Sequence, residues 1–121
     1  MRQVPQYPLP DYAYIPGTRA KDEQRKDIFH FTNQNIEAYL YGVDLFNHHF
    51  YYEAHEVWEE LWHEVGHKTE QGLFLKALIQ IAGAKLKRLM KQDEPAQRLE
   101  LRAQEILKLL DPNRFNLSLL K

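Results

Sequence analysis

The densest chemistry in the chain lies in fifteen residues, Tyr51 to Val65, which read YYEAHEVWEELWHEV. They hold five glutamates, two histidines, two tryptophans and two tyrosines, with no lysine or arginine to neutralise the acids. His55 and Glu59 are four residues apart. On a helix that spacing puts an imidazole and a carboxylate on one face, where they can bind one ion or share one proton. A divalent ion needs about four to six donors, so His55 and Glu59 supply two, and Glu56 or Glu53 can add a third. His48, His49 and His63 are close in sequence, the first two at an expected hairpin corner.

Other chemistries fit less well. His55-Glu56 opens like the HExxH zinc motif, but the position four beyond His55 is Glu59, so the pattern fails. Glu60 to His63 reads as the ExxH fragment of di-iron bundles, yet the later helices hold no histidine to supply the second copy. The only serine is Ser118 and there is no cysteine, which leaves no legible nucleophile for a hydrolase.

The motif needs a helix to carry it. Ala54, Val57, Trp58, Leu61 and Val65 recur at helical spacing and form an apolar stripe. At about 100° per residue, His55, Glu59 and Trp62 fall on one edge of that stripe. Tyr52, Glu56 and His63 lie further round, and Glu53, Glu60 and Glu64 point further away. Gly66 ends this helix at the usual glycine position.

The preceding helix is expected to start near Thr32 or Asn33, either of which can cap its first turn. It runs to about Asn47 and buries Ile36, Tyr39, Leu40, Val43 and Phe46. A short link makes the two helices an antiparallel hairpin. Thr69 caps a third helix reaching to about Lys91, apolar nearly all round and therefore expected at the centre. Its Ala82-Gly83-Ala84 run lets a neighbour approach closely. Asp93 and Pro95 open a fourth helix, with Leu99, Ala103, Ile106 and Leu110 facing inward and Asp111-Pro112 as its stop. The expected fold is all-α, a small bundle of four main helices. Residues 1–31 form an extended Pro/Tyr-rich N-terminal arm and a linker, 32–112 the bundle, and 113–121 a tail that docks through Phe115, Leu117, Leu119 and Leu120. Four prolines and three tyrosines in the first seventeen residues forbid a helix there and give the rings a surface to seek.

Composition sets the outer bounds. A chain of 121 residues, 44% hydrophobic and 27% charged, is that of an ordinary globular domain. A net charge of −1 argues for neither nucleic acid nor membrane as partner. No membrane span or signal peptide is expected, and the lack of cysteine suits a cytoplasmic protein. Charge is nonetheless uneven. Lys76 to Lys91 carries five basic residues and no acid, a face that can complement the acidic helix across a helix pair or a dimer contact.

The stretch from Tyr51 to Trp62 resembles the bacterial and archaeal family known as domain of unknown function 309. That family's signature is a histidine, a glutamate four residues on and an aromatic three beyond it, which here are His55, Glu59 and Trp62. Equivalents of Glu53 and Glu56 are frequent in it. A second block, LIQIA from Leu78 to Ala82, is similar to the family's other recurrent segment, and the likeness covers residues 36–110. Ala77 stands where glycine often precedes that block, and the His-Pro pair that follows a similar arm in some members is missing after Gly17. The resemblance implies an all-helical fold, no established activity, and metal binding at the His/Glu motif.

Two functions follow. In one, the chain is a divalent-metal-binding bundle, with metal-assisted hydrolysis as its furthest extension. His55 and Glu59 are then ligands, Glu56 a further ligand or general base, and Gln80 a positioning group, with Glu53, Tyr52 and Trp62 completing the pocket. In the other, it is a non-catalytic homodimeric module whose His/Glu pair is a hydrogen-bonded brace.

Overall fold

A computed structural model of the chain describes residues 1–17 and 36–121. Four helices occupy the second range: α1 (Ile36–Asn47), α2 (Tyr51–Val65), α3 (Glu70–Leu89) and α4 (Asp93–Leu107). The expected start of the first helix at Thr32 or Asn33, and the linker expected over 18–27, lie outside the described residues. Among the described residues each helix packs chiefly on the next in sequence, α1 on α2, α2 on α3 and α3 on α4. No helix there is long and apolar enough to cross a membrane.

The α1–α2 contact is built around one indole. Trp58 is fully buried, and its Nε1 donates to the Tyr39 carbonyl at 3.1 Å. Gly42 makes room for it, because a Cβ there would lie 2.1 Å from Trp58 Nε1. Ala38, Tyr41, Leu45 and Phe46 of α1 complete this layer with Ala54, Val57 and Leu61 of α2. Truncating such an aromatic core residue costs about 3–5 kcal/mol.

Thr69 caps α3 as expected, its hydroxyl accepting from Gly72 N at 2.9 Å. The helix buries Phe74, Leu75, Ala77 and Leu78 along one stretch and Ala82 and Ala84 along the next. Small residues do permit the close approach: Ala82 and Ala84 of α3 and Ala96 and Ala103 of α4 are all essentially sealed from solvent. Arg88 joins the two helices at the surface through Glu100 and Asp93. This member of the basic cluster therefore pairs with α4, not with the acidic helix.

Three element details differ from expectation. Ile36, placed on the buried face of α1, is 65% exposed at the first described residue of that helix. The third helix stops at Leu89 instead of Lys91, which takes a positive φ of 60° beyond the Met90 cap. The fourth stops at Leu107. Leu109 and Leu110 continue in tighter turns, their amides bonding to Ile106 and Leu107 carbonyls three residues back. That tightening turns Leu110 inward, and it is buried.

Both ends of the chain are stapled to the α1–α2 hairpin. Asn47 holds the C-terminal tail, donating to the Leu119 carbonyl at 2.9 Å and accepting from Lys121 N at 2.8 Å. Phe115 packs on Phe74 with ring centroids 5.4 Å apart. At the other end Val4 and Pro10 are buried against the helices, and Tyr41 donates its hydroxyl to the Pro8 carbonyl at 2.7 Å.

Candidate functional site

Two acidic residues fix the N-terminal segment, and the sequence reading did not assign either that role. Asp44 sits on α1 among apolar neighbours and is buried. Its carboxylate accepts from Gln3 N at 2.7 Å and Val4 N at 3.0 Å, and pairs with the Arg2 guanidinium at 3.2 Å. Glu53 was expected to point away from the core and to be available as a third metal donor. It is instead completely buried, with Oε2 accepting from Tyr14 N at 2.7 Å. The reason lies far off in sequence: the N-terminal segment folds over this face of α2 and brings the Tyr14 amide to a carboxylate that would otherwise be solvated.

The same segment then borders the motif. Tyr14 meets Tyr52 edge to face at 4.8 Å, and the Tyr52 ring lies 6.2 Å from His55. His55 is half-buried, its side chain 31% exposed, with its two nitrogens facing two different carboxylates. Nε2 is 3.2 Å from Glu59 Oε2. Nδ1 is 3.7 Å from Glu56 Oε1, close enough for charge attraction but beyond a hydrogen bond, and Nδ1 has no hydrogen-bond partner among the described residues. Glu56 is thus on the side of the ring opposite Glu59. A ligand set using Nε2 and Glu59 leaves Glu56 to orient the imidazole rather than to share the ion.

Trp62, the aromatic of the motif, has a buried Nε1 without a hydrogen-bond partner among the described residues, and so does Gln80 Oε1 on α3. α2 and α3 pack together across the short turn at Gly66. Counting equal rises outward from that turn puts Gln80 at about the level of His55.

The ridge continues past Glu59. Its other oxygen, Oε1, lies 3.9 Å from His63 Nε2. His63 Nδ1 is in turn 2.9 Å from Nε2 of His67, which stacks on Trp62 at a centroid distance of 3.7 Å and an interplanar angle of 11°. Gly66, at φ +96°, turns the chain so that His67 comes back over the last turn of α2. His67 escaped the sequence reading although it stands four residues beyond His63, because Gly66 marks the end of the helix and hides the spacing.

The family's sequence profile, described as a domain of unknown function (DUF309), matches residues 39–99, just over half of the chain. The chain belongs to the DUF309 family. All the members of the site discussed above except Asp44's partners in the N-terminal segment, Glu53's partner Tyr14 and the tail fall within that span. No curated protein and no solved structure matches the chain.

The donor set can be tested against a metal. Two ligands about 2.0–2.1 Å from one ion are separated by about 3.3–3.4 Å at a tetrahedral angle, and the observed His55–Glu59 spacing of 3.2 Å subtends about 103° at such an ion. Two donors fit; among the described residues no group of three histidine, aspartate or glutamate side chains converges on one point.

Proposed function

We propose that this DUF309 chain is a divalent-metal-binding helical protein whose ion is held by His55 Nε2 and Glu59. Glu56 lies on the other side of the imidazole, Gln80 Oε1 is an unpartnered buried acceptor on the neighbouring helix, and the Trp62 N–H, a donor only, would meet a ligand oxygen rather than the ion. The observation that carries this reading is the half-buried imidazole set between two carboxylates, with its Nε2 3.2 Å from Glu59. Carboxylates beside a metal-ligating imidazole are a common surrounding for such sites, and Glu56 lies 3.7 Å from the ring's other nitrogen. The ion, when bound, supplies a Lewis-acidic centre. The function proposed is binding rather than catalysis, because among the described residues no serine, threonine or cysteine is shown in contact with the pair.

A second reading, the homodimeric interaction module, takes the same 3.2 Å contact as a brace. It draws support from Leu89 and Leu101, large apolar side chains left about half exposed on α3 and α4. One experiment separates the two. Elemental analysis of the untagged protein, repeated on His55→Ala and Glu59→Ala, finds a divalent ion in the wild type and none in either variant, with helicity retained in all three. Wild type that carries no ion, and gains none from added zinc or manganese, removes the metal reading. Loss of association in Glu59→Ala with no change in metal content favours the module.

A further inference from the structure

The contact between His63 and His67 uses neither His55 nor a Glu59 oxygen as a donor, although Glu59 Oε1 approaches the far side of His63, and its bite suits a chelate. We propose that His63 Nδ1 and His67 Nε2 form a clamp for a late first-row divalent ion, copper(II) or nickel(II), at the C-terminal end of α2.

The bite distance is the first argument. The two nitrogens are 2.9 Å apart. With metal–nitrogen bonds of about 2.0–2.1 Å, that separation subtends about 90° at the ion. A right angle between neighbouring nitrogens belongs to tetragonal coordination, the preference of copper(II) and nickel(II), and copper(II) heads the affinity order for imidazole sites. Without an ion, one ring nitrogen must donate a proton to the other. Binding displaces that shared proton and leaves both lone pairs on the ion.

Preorganisation is the second. His67 is held in place by its stack on Trp62, and the left-handed turn at Gly66 is what returns it to α2. His63 is positioned by the helix, and its Nε2 faces Glu59 at 3.9 Å, so the ring's outer nitrogen has a carboxylate nearby to steady it. The local field is the third. The clamp lies where the partial negative charge of a helix C-terminus favours a cation, on a helix with five glutamates and no lysine or arginine. Lys68, the nearest base in sequence, is exposed. Both histidines are exposed as well, so solvent can complete the ion's coordination.

The stack supplies the assay. Copper(II) or nickel(II) seated on His67 lies against the Trp62 ring and quenches its emission, whereas Trp58 is buried in the α1–α2 contact. Untagged protein is titrated with each ion while tryptophan fluorescence and heat are recorded. The proposal expects saturable quenching at one ion per chain that Trp62→Phe abolishes. His67→Ala and His63→Ala each weaken it by about tenfold or more, and His55→Ala leaves it in place. Circular dichroism confirms the fold of each variant, with His67→Gln replacing the alanine variant if helicity falls. Absence of quenching, or quenching unchanged in His67→Ala or in His63→Ala, overturns the clamp. Quenching lost in His55→Ala but kept in His67→Ala places the ion at the His55–Glu59 pair, which sinks the clamp and leaves the proposed function standing.

Discussion

Glu53 and Glu59 are the same residue type on the same helix, six positions apart, and they live in different worlds. Glu53 is sealed from solvent and accepts the Tyr14 amide. Glu59 is 42% exposed and faces an imidazole with each of its oxygens. The first lies under a segment of backbone that arrives with donors to spare, so its charge is spent on holding that segment. The second lies on a ridge of titratable side chains, Glu56, His55, Glu59, His63 and His67, whose mutual contacts are loose enough to be replaced by an ion. One face of α2 holds the N-terminal segment, and the next presents the titratable ridge on which the proposed ion would sit. What separates them is whether the rest of the chain covers the carboxylate.

The arm-holding face should show the largest stability effects. Asp44→Ala leaves the Arg2 guanidinium and two backbone amides without their buried acceptor, and hydrogen bonds to a charged group contribute about 1.5–3 kcal/mol each. Release of the segment to solvent caps the total, so the expected loss is about 3 kcal/mol. A denaturant midpoint measures it, and limited proteolysis should show earlier cleavage within residues 1–17. A loss no larger than that of a surface substitution would mean that the segment contributes nothing to the fold.

Next comes the paired test within α2. Glu53→Ala should cost about 2 kcal/mol, the usual range for orphaning a buried hydrogen-bonded group. Glu59→Ala should change stability by less than about 1 kcal/mol, as exposed ion pairs do. Equal costs in the two variants would erase the distinction between the faces.

How far this division was legible in the sequence follows from the same residues. The helices were readable because their signals are local: the apolar stripe of α2, the Thr69 cap and the alanines that let α3 and α4 meet. The motif was readable because four-residue spacing on a helix is itself geometry. Glu53 was misplaced because its fate depends on Tyr14, thirty-nine residues away, and helical periodicity carries no information about what lies over a face. Asp44 was missed for the same reason, although an acid in the apolar run Tyr39 to Phe46 is an anomaly that asks for a buried partner. Ile36 went astray at a helix end, where one turn of difference moves a side chain between core and solvent, whereas Leu110 is buried as expected although the helix stops before it.

The smallest effect is a titration. Tyr7 donates its hydroxyl to Glu37 of α1. That hydrogen bond, with some burial and the Glu37 charge, raises the phenol above its ordinary value of 10.0. A group whose folded value is raised stabilises the fold fully below the unfolded value and ceases to do so as pH climbs through the folded one. The segment's attachment should therefore hold below about pH 10 and loosen at higher pH. Burial raises Tyr39 and Tyr51 as well, so an ultraviolet titration should find a late phase shared by several tyrosines, and Tyr7→Phe should shrink that phase by one phenol. A titration curve that is the same in Tyr7→Phe would contradict the contact.

The claim at the centre is that the exposed carboxylate, not the buried one, serves an ion. Calorimetric titration of zinc into the untagged, metal-stripped His67→Ala chain isolates it, since that background silences the neighbouring imidazole pair. One ion per chain should bind, and adding Glu59→Ala should abolish the heat while the helices stay folded. No heat in the His67→Ala chain, or the same heat with and without Glu59, would contradict the account.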